Sequence, residues 1–259
     1  MAGSFNAELG AVGAGKPEAR MVLRLGDDTF TADDLMERLI QYGMLPQLLR
    51  ELLVDRAIAK VSYTDDERDQ SVKDMYQHLG LTTQNQLQEW LTRHGMSQTQ
   101  SEKLAIRALQ LEKYKQEVWA NQVHGYFLKR KGQLDRVVYS MICTKDFSIA
   151  QELFFRIQEQ EQSFAELARE YSQGPEAQTG GLVGPVEVQS LNPAIANFLA
   201  KTQPQQVSTP MVVGNWVLLL RLEKMLPAQL DEAMEQRLIN ECFNNWLESQ
   251  LQQALGIAA

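Results

Sequence analysis

The chain has 259 residues, 44% of them hydrophobic, with 33 Asp and Glu against 25 Lys and Arg and a formal charge of -8. That length supports one or two domains with a sizeable core. The acidic balance argues against a nucleic-acid or anionic-membrane partner, because a net negative surface attracts neither without a dense basic patch; Lys129-Arg130-Lys131 is short and reads as a solvated helix end.

Residues 1–20 are rich in Gly and Ala and hold no long apolar run, so a disordered tail is expected there, with no signal or anchor pattern and hence a cytoplasmic location. Met21 to Leu25 reads as a strand turned by Gly26-Asp27-Asp28, after which Thr31 with Asp34 starts a helix bearing Leu35, Met36, Leu39 and Ile40. Pro46 suits the first turn of a second helix with an apolar stripe of Leu48, Leu49, Leu52, Leu53 and Ala57. Three more helix starts follow at Thr64 with Glu67, Thr83 with Gln86, and Ser97 with Gln100, each a capping box. The last opens the longest helix, with Leu104, Ala108, Leu111, Tyr114 and Val118 spaced for one face. Gly125 and Gly132 mark where that helix is expected to give way.

The period then changes. Arg136 to Cys143, RVVYSMIC, is a buried-strand pattern, and Ile149, Leu153 and Ile157 set out the next helix. Ser163 with Glu166 is a further capping box, opening a short helix whose Phe164, Leu167, Ala168 and Tyr171 fall on one face. Gly174-Pro175 stops it, and Gly180-Gly181 and Gly184-Pro185 supply the bends into an apolar strand. A short helix is expected near Asn192 to Ala200 and a central strand over Met211 to Leu222, giving a small mixed sheet with helices packed on it. Past Pro227 the chain is helical again, and Met234, Leu238, Cys242, Phe243, Trp246, Leu247 and Leu251 are too apolar to face water. This tail is expected to pack back on the N-terminal helices. The fold class that follows is α+β: a largely helical domain from 21–132 plus 227–259, with an α/β module at 133–226 inserted in it.

The stretch SFAELAREYSQGPEAQTGGLVGPV, from Ser163 to Val186, resembles the signature of parvulin-type peptidyl-prolyl isomerases, in which F-A-x-L-A-x-x-x-S leads through a polar loop to G-G-x-L-G. Leu191-Asn192-Pro193 with Phe198-Leu199 resembles that family's proline-pocket helix, and Pro204 to Gly214 its closing segment. The helical domain built from both chain ends around such an FKBP-like module resembles the SurA-like chaperones. The resemblance implies a folding factor that binds unfolded or proline-containing polypeptide, with Leu191, Ile195 and Phe198 gripping the proline. The family's polar markers, however, are replaced. The first-strand histidine falls on Tyr139, or on Ser140 with a one-residue slip. The last-strand histidine falls on Trp216, the cysteine or aspartate after the signature helix on Gly174, and the aromatic after G-x-L-G near Val186. Weak or absent isomerase activity is therefore expected. The alternatives are an active isomerase with an altered residue set centred on Tyr139 and Trp216, and a dedicated adaptor for one protein partner, such as a peptide precursor or secretion component.

Other chemistry finds less support. His78, His94 and His124 stand before glycines at expected helix ends and have no metal-ligand spacing, so no metal and no cofactor are expected. Cys143 and Cys242 read as reduced core thiols. The glycines of the signature lack the Lys-Ser/Thr of a phosphate loop.

Overall fold

A computed structural model describes residues 21–256; the expected disordered tail at residues 1–20 lies outside the described residues. The described residues form two compact units, 21–121 with 236–256 and 122–235.

The first unit is helical. β1 (Met21–Leu25) and β2 (Asp28–Thr31) pair as an antiparallel hairpin. Helices α1 (Ala32–Gln41), α2 (Leu45–Ile58), α3 (Asp65–His78) and α4 (Gln84–His94) follow, and α1, α3 and α4 start at the capping boxes of Thr31, Thr64 and Thr83. Each box satisfies two amide donors that the helix itself leaves free. α5 (Gln98–Leu134) opens on the Ser97 box, where the Gln100 N–H donates to Ser97 Oγ at 3.3 Å and the Ser97 N–H to Gln100 Oε1 at 2.7 Å.

α5 runs unbroken for 37 residues, so Gly125 and Gly132 do not end it. A mid-helix glycine costs about 1 kcal/mol relative to alanine, and the burial of Val123, Phe127 and Leu134 around the two positions outweighs this. His124 consequently lies inside a helix. His78 and His94 do close α3 and α4, each ring Nδ1 lying 2.8 Å from the carbonyl oxygen four residues back.

The buried face of α5 is rotated from the expected stripe: Leu104 and Ala108 are exposed, whereas Ser101, Ala105 and Lys115 are buried. Two polar residues hid that face from a reading of apolar spacing. Ser101 Oγ lies 2.8 Å from the Tyr76 hydroxyl and donates to the Gln98 carbonyl at 2.8 Å, and Lys115 Nζ reaches Glu112 at 2.6 Å and Asn240 at 3.0 Å. In α2 likewise, Val54 and Ile58 are buried and Leu52 faces out.

α9 (Glu232–Ala254) gives this unit its last helix. Arg50 pairs with Glu248 at 2.7 Å. Tyr114 and Trp119 meet Phe243 and Trp246 in a cluster whose ring centroids lie 5.7–5.9 Å apart, so the apolar C-terminal stretch is covered by helices from the other end of the chain.

The second unit is built on β3 (Arg136–Thr144), β4 (Leu182–Glu187), β5 (Met211–Val213) and β6 (Trp216–Leu226), in the order β4-β3-β6-β5. Every pairing is antiparallel, so the sheet is not mixed. The single strand expected over 211–222 is a hairpin, folded at Gly214 with φ +61°. The apolar run on both sides of Gly214-Asn215 is continuous in character and concealed the turn. β3 and β6, the two inner strands, alternate their side chains between two cores. On one face Ile142 and Leu219 pack with Leu153 of α6 (Phe147–Gln158) and with Phe164, Leu167 and Ala168 of α7 (Phe164–Tyr171). On the other, Val137, Tyr139, Cys143, Leu218, Leu220 and Leu222 pack with Ile195 and Leu199 of α8 (Pro193–Leu199).

The α7 start is held by Ser163, whose Oγ accepts from the Glu166 N–H at 3.2 Å while Glu166 Oε2 accepts from the Ser163 N–H at 2.9 Å. Ser163→Ala is expected to lower the unfolding free energy by about 1 kcal/mol, read from the midpoint of urea denaturation at unchanged slope.

Candidate functional site

The α8 face of the sheet brings the sequence-marked residues together. Tyr139 is buried there, and Leu191, Phe198, Val186 and Trp216, each half-buried, pack on the same cluster as Ile195. α8 is positioned by Asn192, whose Oδ1 accepts from the Ala194 N–H at 2.9 Å, and by Pro193 in its first turn. Trp216 opens β6 opposite Val213 across the hairpin, with Lys145 Nζ 5.3 Å from its ring centroid. The pairing of β3 with β4 and with β6 shifts register immediately before Tyr139, the kind of irregularity that re-aims a side chain.

Tyr139 and Ser140 necessarily point to opposite faces. Tyr139 belongs to the α8 cluster. Ser140 Oγ donates to Glu223 Oε1 at 2.5 Å, in a network where Arg221 Nε and Gln205 Nε2 donate to the same carboxylate at 2.8 Å each. Of these two residues, Tyr139 is the one that faces α8.

That Glu223 network makes a pH prediction. Burial pushes the carboxyl upward, but the hydrogen bonds from Ser140, Arg221 and Gln205, with the Arg221 charge, outweigh burial and hold it below its ordinary range. A depressed folded-state pKa contributes stability above the ordinary carboxyl pKa and loses it as pH falls through the folded value. Glu223→Gln is therefore expected to be less stable than the parent near neutral pH, with the gap closing in denaturation curves taken from about pH 7 to about pH 3.

The loop after α7 is sewn to β3 at Cys143. The Cys143 N–H donates to Ser172 Oγ at 2.9 Å, the Gln173 N–H donates to the Cys143 carbonyl at 2.8 Å, and the Ser172 hydroxyl donates to Glu176 Oε1. Pro175–Thr179 is a 3-10 turn, anchored where the Gly181 N–H donates to the Glu176 carbonyl at 2.8 Å. The Glu176 side chain is buried, 6% exposed. Burial, reinforced by the Glu176 charge, raises the Tyr139 phenol above its usual range and pushes the Cys143 thiol up to about 11. Tyr139 is thus a neutral hydrogen-bond donor across the physiological range and Cys143 is a thiol, not a thiolate nucleophile.

Gly174, marked by sequence as a vacant position, sits at φ -100° with its side-chain space filled by the Glu176 carboxyl. Sequence spacing does not single out Glu176, whose buried side chain fills that space. Among the described residues no group of three or more His, Cys, Asp or Glu is placed to hold a metal ion, and no helix is long and apolar enough to cross a membrane.

Residues 146–224 match the family model described as a rotamase, PPIC-type PPIASE domain. Peptidylprolyl isomerase PrsA from Bacillus cereus superposes with a TM-score of 0.53 at 19% identity, covering 93% of this chain and 94% of that one. PrsA from Bacillus anthracis gives 0.49 at 19% identity over 82% and 99%, and a SurA-like chaperone from Campylobacter jejuni gives 0.36 at 16% over 93% and 98%. No curated protein matches the chain in sequence. The 146–224 region is a parvulin-type domain, and the chain as a whole shares the fold of the Bacillus cereus PrsA structure.

Proposed function

We propose that this chain, a parvulin-type domain within a PrsA-like fold, is a folding factor that binds unfolded or proline-containing polypeptide and isomerises X-Pro bonds far more weakly than a site with two histidines. The observation that carries this is the α8 cluster. Leu191, Ile195, Phe198 and Val186 bring apolar side chains to the sheet face that also carries Tyr139 and Trp216, the residues that the resemblance aligns with the family's histidines. Rotation about an X-Pro bond faces a barrier of about 18–20 kcal/mol, and a catalyst lowers it by binding the twisted amide better than either planar isomer. The cluster offers a proline ring dry contact, which serves both isomers alike. Tyr139 and Trp216 leave fewer polar groups to favour the twisted state.

The helical unit adds a surface for extended chain. An open groove of about 750 Å³ there is lined by Arg68, Val72, Lys73, Tyr76, Leu81 and Glu102, mixing apolar contact with both signs of charge. Such a mixture tolerates many sequences instead of selecting one.

A refolding assay tests the proposal. The protein should suppress aggregation of unrelated denatured proteins and accelerate the slow phase of a proline-limited refolding reaction only slightly at substoichiometric amounts. Indifference to unrelated clients, with tight capture of one partner, would instead mark a dedicated adaptor.

A further inference from the structure

Gly174 has φ -100° and ψ 175°, an extended backbone that any residue adopts. Its lack of a side chain is therefore not a demand of the backbone. A Cβ built there would lie 2.6 Å from Glu176 Oε1 and 2.7 Å from Glu176 Cδ, far inside contact distance. The carboxylate of residue 176 occupies the side-chain space of residue 174, and glycine is what leaves that space open.

This is a poor arrangement if stability alone is at stake. Among the described residues, the side-chain partner of the buried Glu176 carboxylate is the Ser172 hydroxyl and not a cation. Burying a carboxylate against one hydroxyl costs free energy where an apolar side chain would contribute it. Its location gives it a different use. Ser172 Oγ also receives the Cys143 N–H, and Cys143 and Tyr139 belong to the sheet face that carries α8. The carboxylate therefore stands where the 172–176 loop meets the edge of the proline cluster.

Resting on the proline-binding reading above, we propose that Glu176 is a positioning residue of this site: its carboxylate, in the side-chain space of position 174, holds the Ser172 hydroxyl and so fixes the 172–176 loop against β3 at Cys143, on the strand that carries Tyr139. With Glu176 in place the loop is held against the strand from which the Tyr139 phenol, protonated at neutral pH in either case, donates toward the carbonyl of a bound prolyl segment. Tyr139, Glu176, Ser172 and Cys143 then form the polar half of the site, and α8 with Trp216 its apolar half.

The test uses the full chain and X-Pro peptides. Glu176→Gln and Glu176→Ala should each lower the catalysed cis-trans exchange about tenfold, the worth of one charge-assisted hydrogen bond. Combining Glu176→Ala with Gly174→Asp should recover most of it, because the aspartate grows into the emptied space from a backbone that accepts it. A purely structural glutamate would lose stability on replacement, but its exchange rate would not be rescued from position 174. A second readout needs no activity: in tyrosine 13Cζ NMR titration, Glu176→Gln should lower the Tyr139 midpoint. Parental exchange in both single variants, or an unmoved Tyr139 midpoint, overturns the proposal. If the unmodified protein neither exchanges nor contacts X-Pro peptides, the folding-factor reading fails instead, and the Tyr139 midpoint alone decides where the Glu176 charge acts.

Discussion

Leu191→Asp should weaken binding of X-Pro peptides about tenfold or more while the protein stays folded, a loss equal to removing one buried leucine contact from the complex. Leu191 packs against the α8 cluster but is only half-buried, so a carboxylate there keeps access to water in the free protein and meets the proline ring only when peptide binds. Ile195→Asp would be a worse probe. Ile195 is 8% exposed, and a charge at that position costs folding free energy before any ligand is added. The two measurements are a peptide titration followed by chemical shift and a denaturation curve of the same variant. If Leu191→Asp binds peptide like the parent and is equally stable, the α8 face is not where proline sits.

The largest stability effect is expected from Gly184→Ala. Gly184 is at φ +108°, a region closed to side chains, and a Cβ would lie 2.5 Å from the Val137 carbonyl oxygen and 3.3 Å from the Val138 Cα. The obstruction is backbone of β3, which is held on its other side by β6 and cannot retreat without breaking the ladder. Strain and overlap together should cost about 3 kcal/mol or more. Gly132→Ala, within α5 and with nothing within 4 Å of its Cβ position, should be neutral or stabilising by about 1 kcal/mol. Urea denaturation of the two variants side by side separates them, and similar midpoints would mean that the β4 bend is not fixed as described.

The parts of this fold legible in the sequence are those written locally. Capping boxes at Thr31, Thr64, Thr83, Ser97 and Ser163 mark helix starts because the hydrogen bonds that make them span three residues. The signature loop is legible for the same reason: Gly180, Gly181 and Gly184 all take positive φ. What failed depended on tertiary context. The continuity of α5 through Gly125 and Gly132 is decided by burial on either side of them, which no local rule weighs. The true buried face of α5 contains Ser101 and Lys115, polar residues whose partners Tyr76 and Asn240 lie 25 and 125 positions away. The apolar half of the candidate site was readable from motif spacing. Its acidic group was not, because nothing in the order Gly174-Pro175-Glu176 reveals that a 3-10 turn folds the glutamate back over the glycine.

The central claim is that proline-containing chain is held on the α8 face of the sheet, and exchange NMR on a small panel of X-Pro peptides tests it most directly. Uncatalysed interconversion takes tens of seconds or more, so protein at about one tenth of the peptide concentration reveals both contact and catalysis. The account predicts broadened peptide resonances, weak exchange peaks between cis and trans forms, and shift changes in the labelled protein centred on Leu191, Phe198, Tyr139 and Trp216. Sharp, unexchanged peptide resonances with no response from those four residues would contradict it.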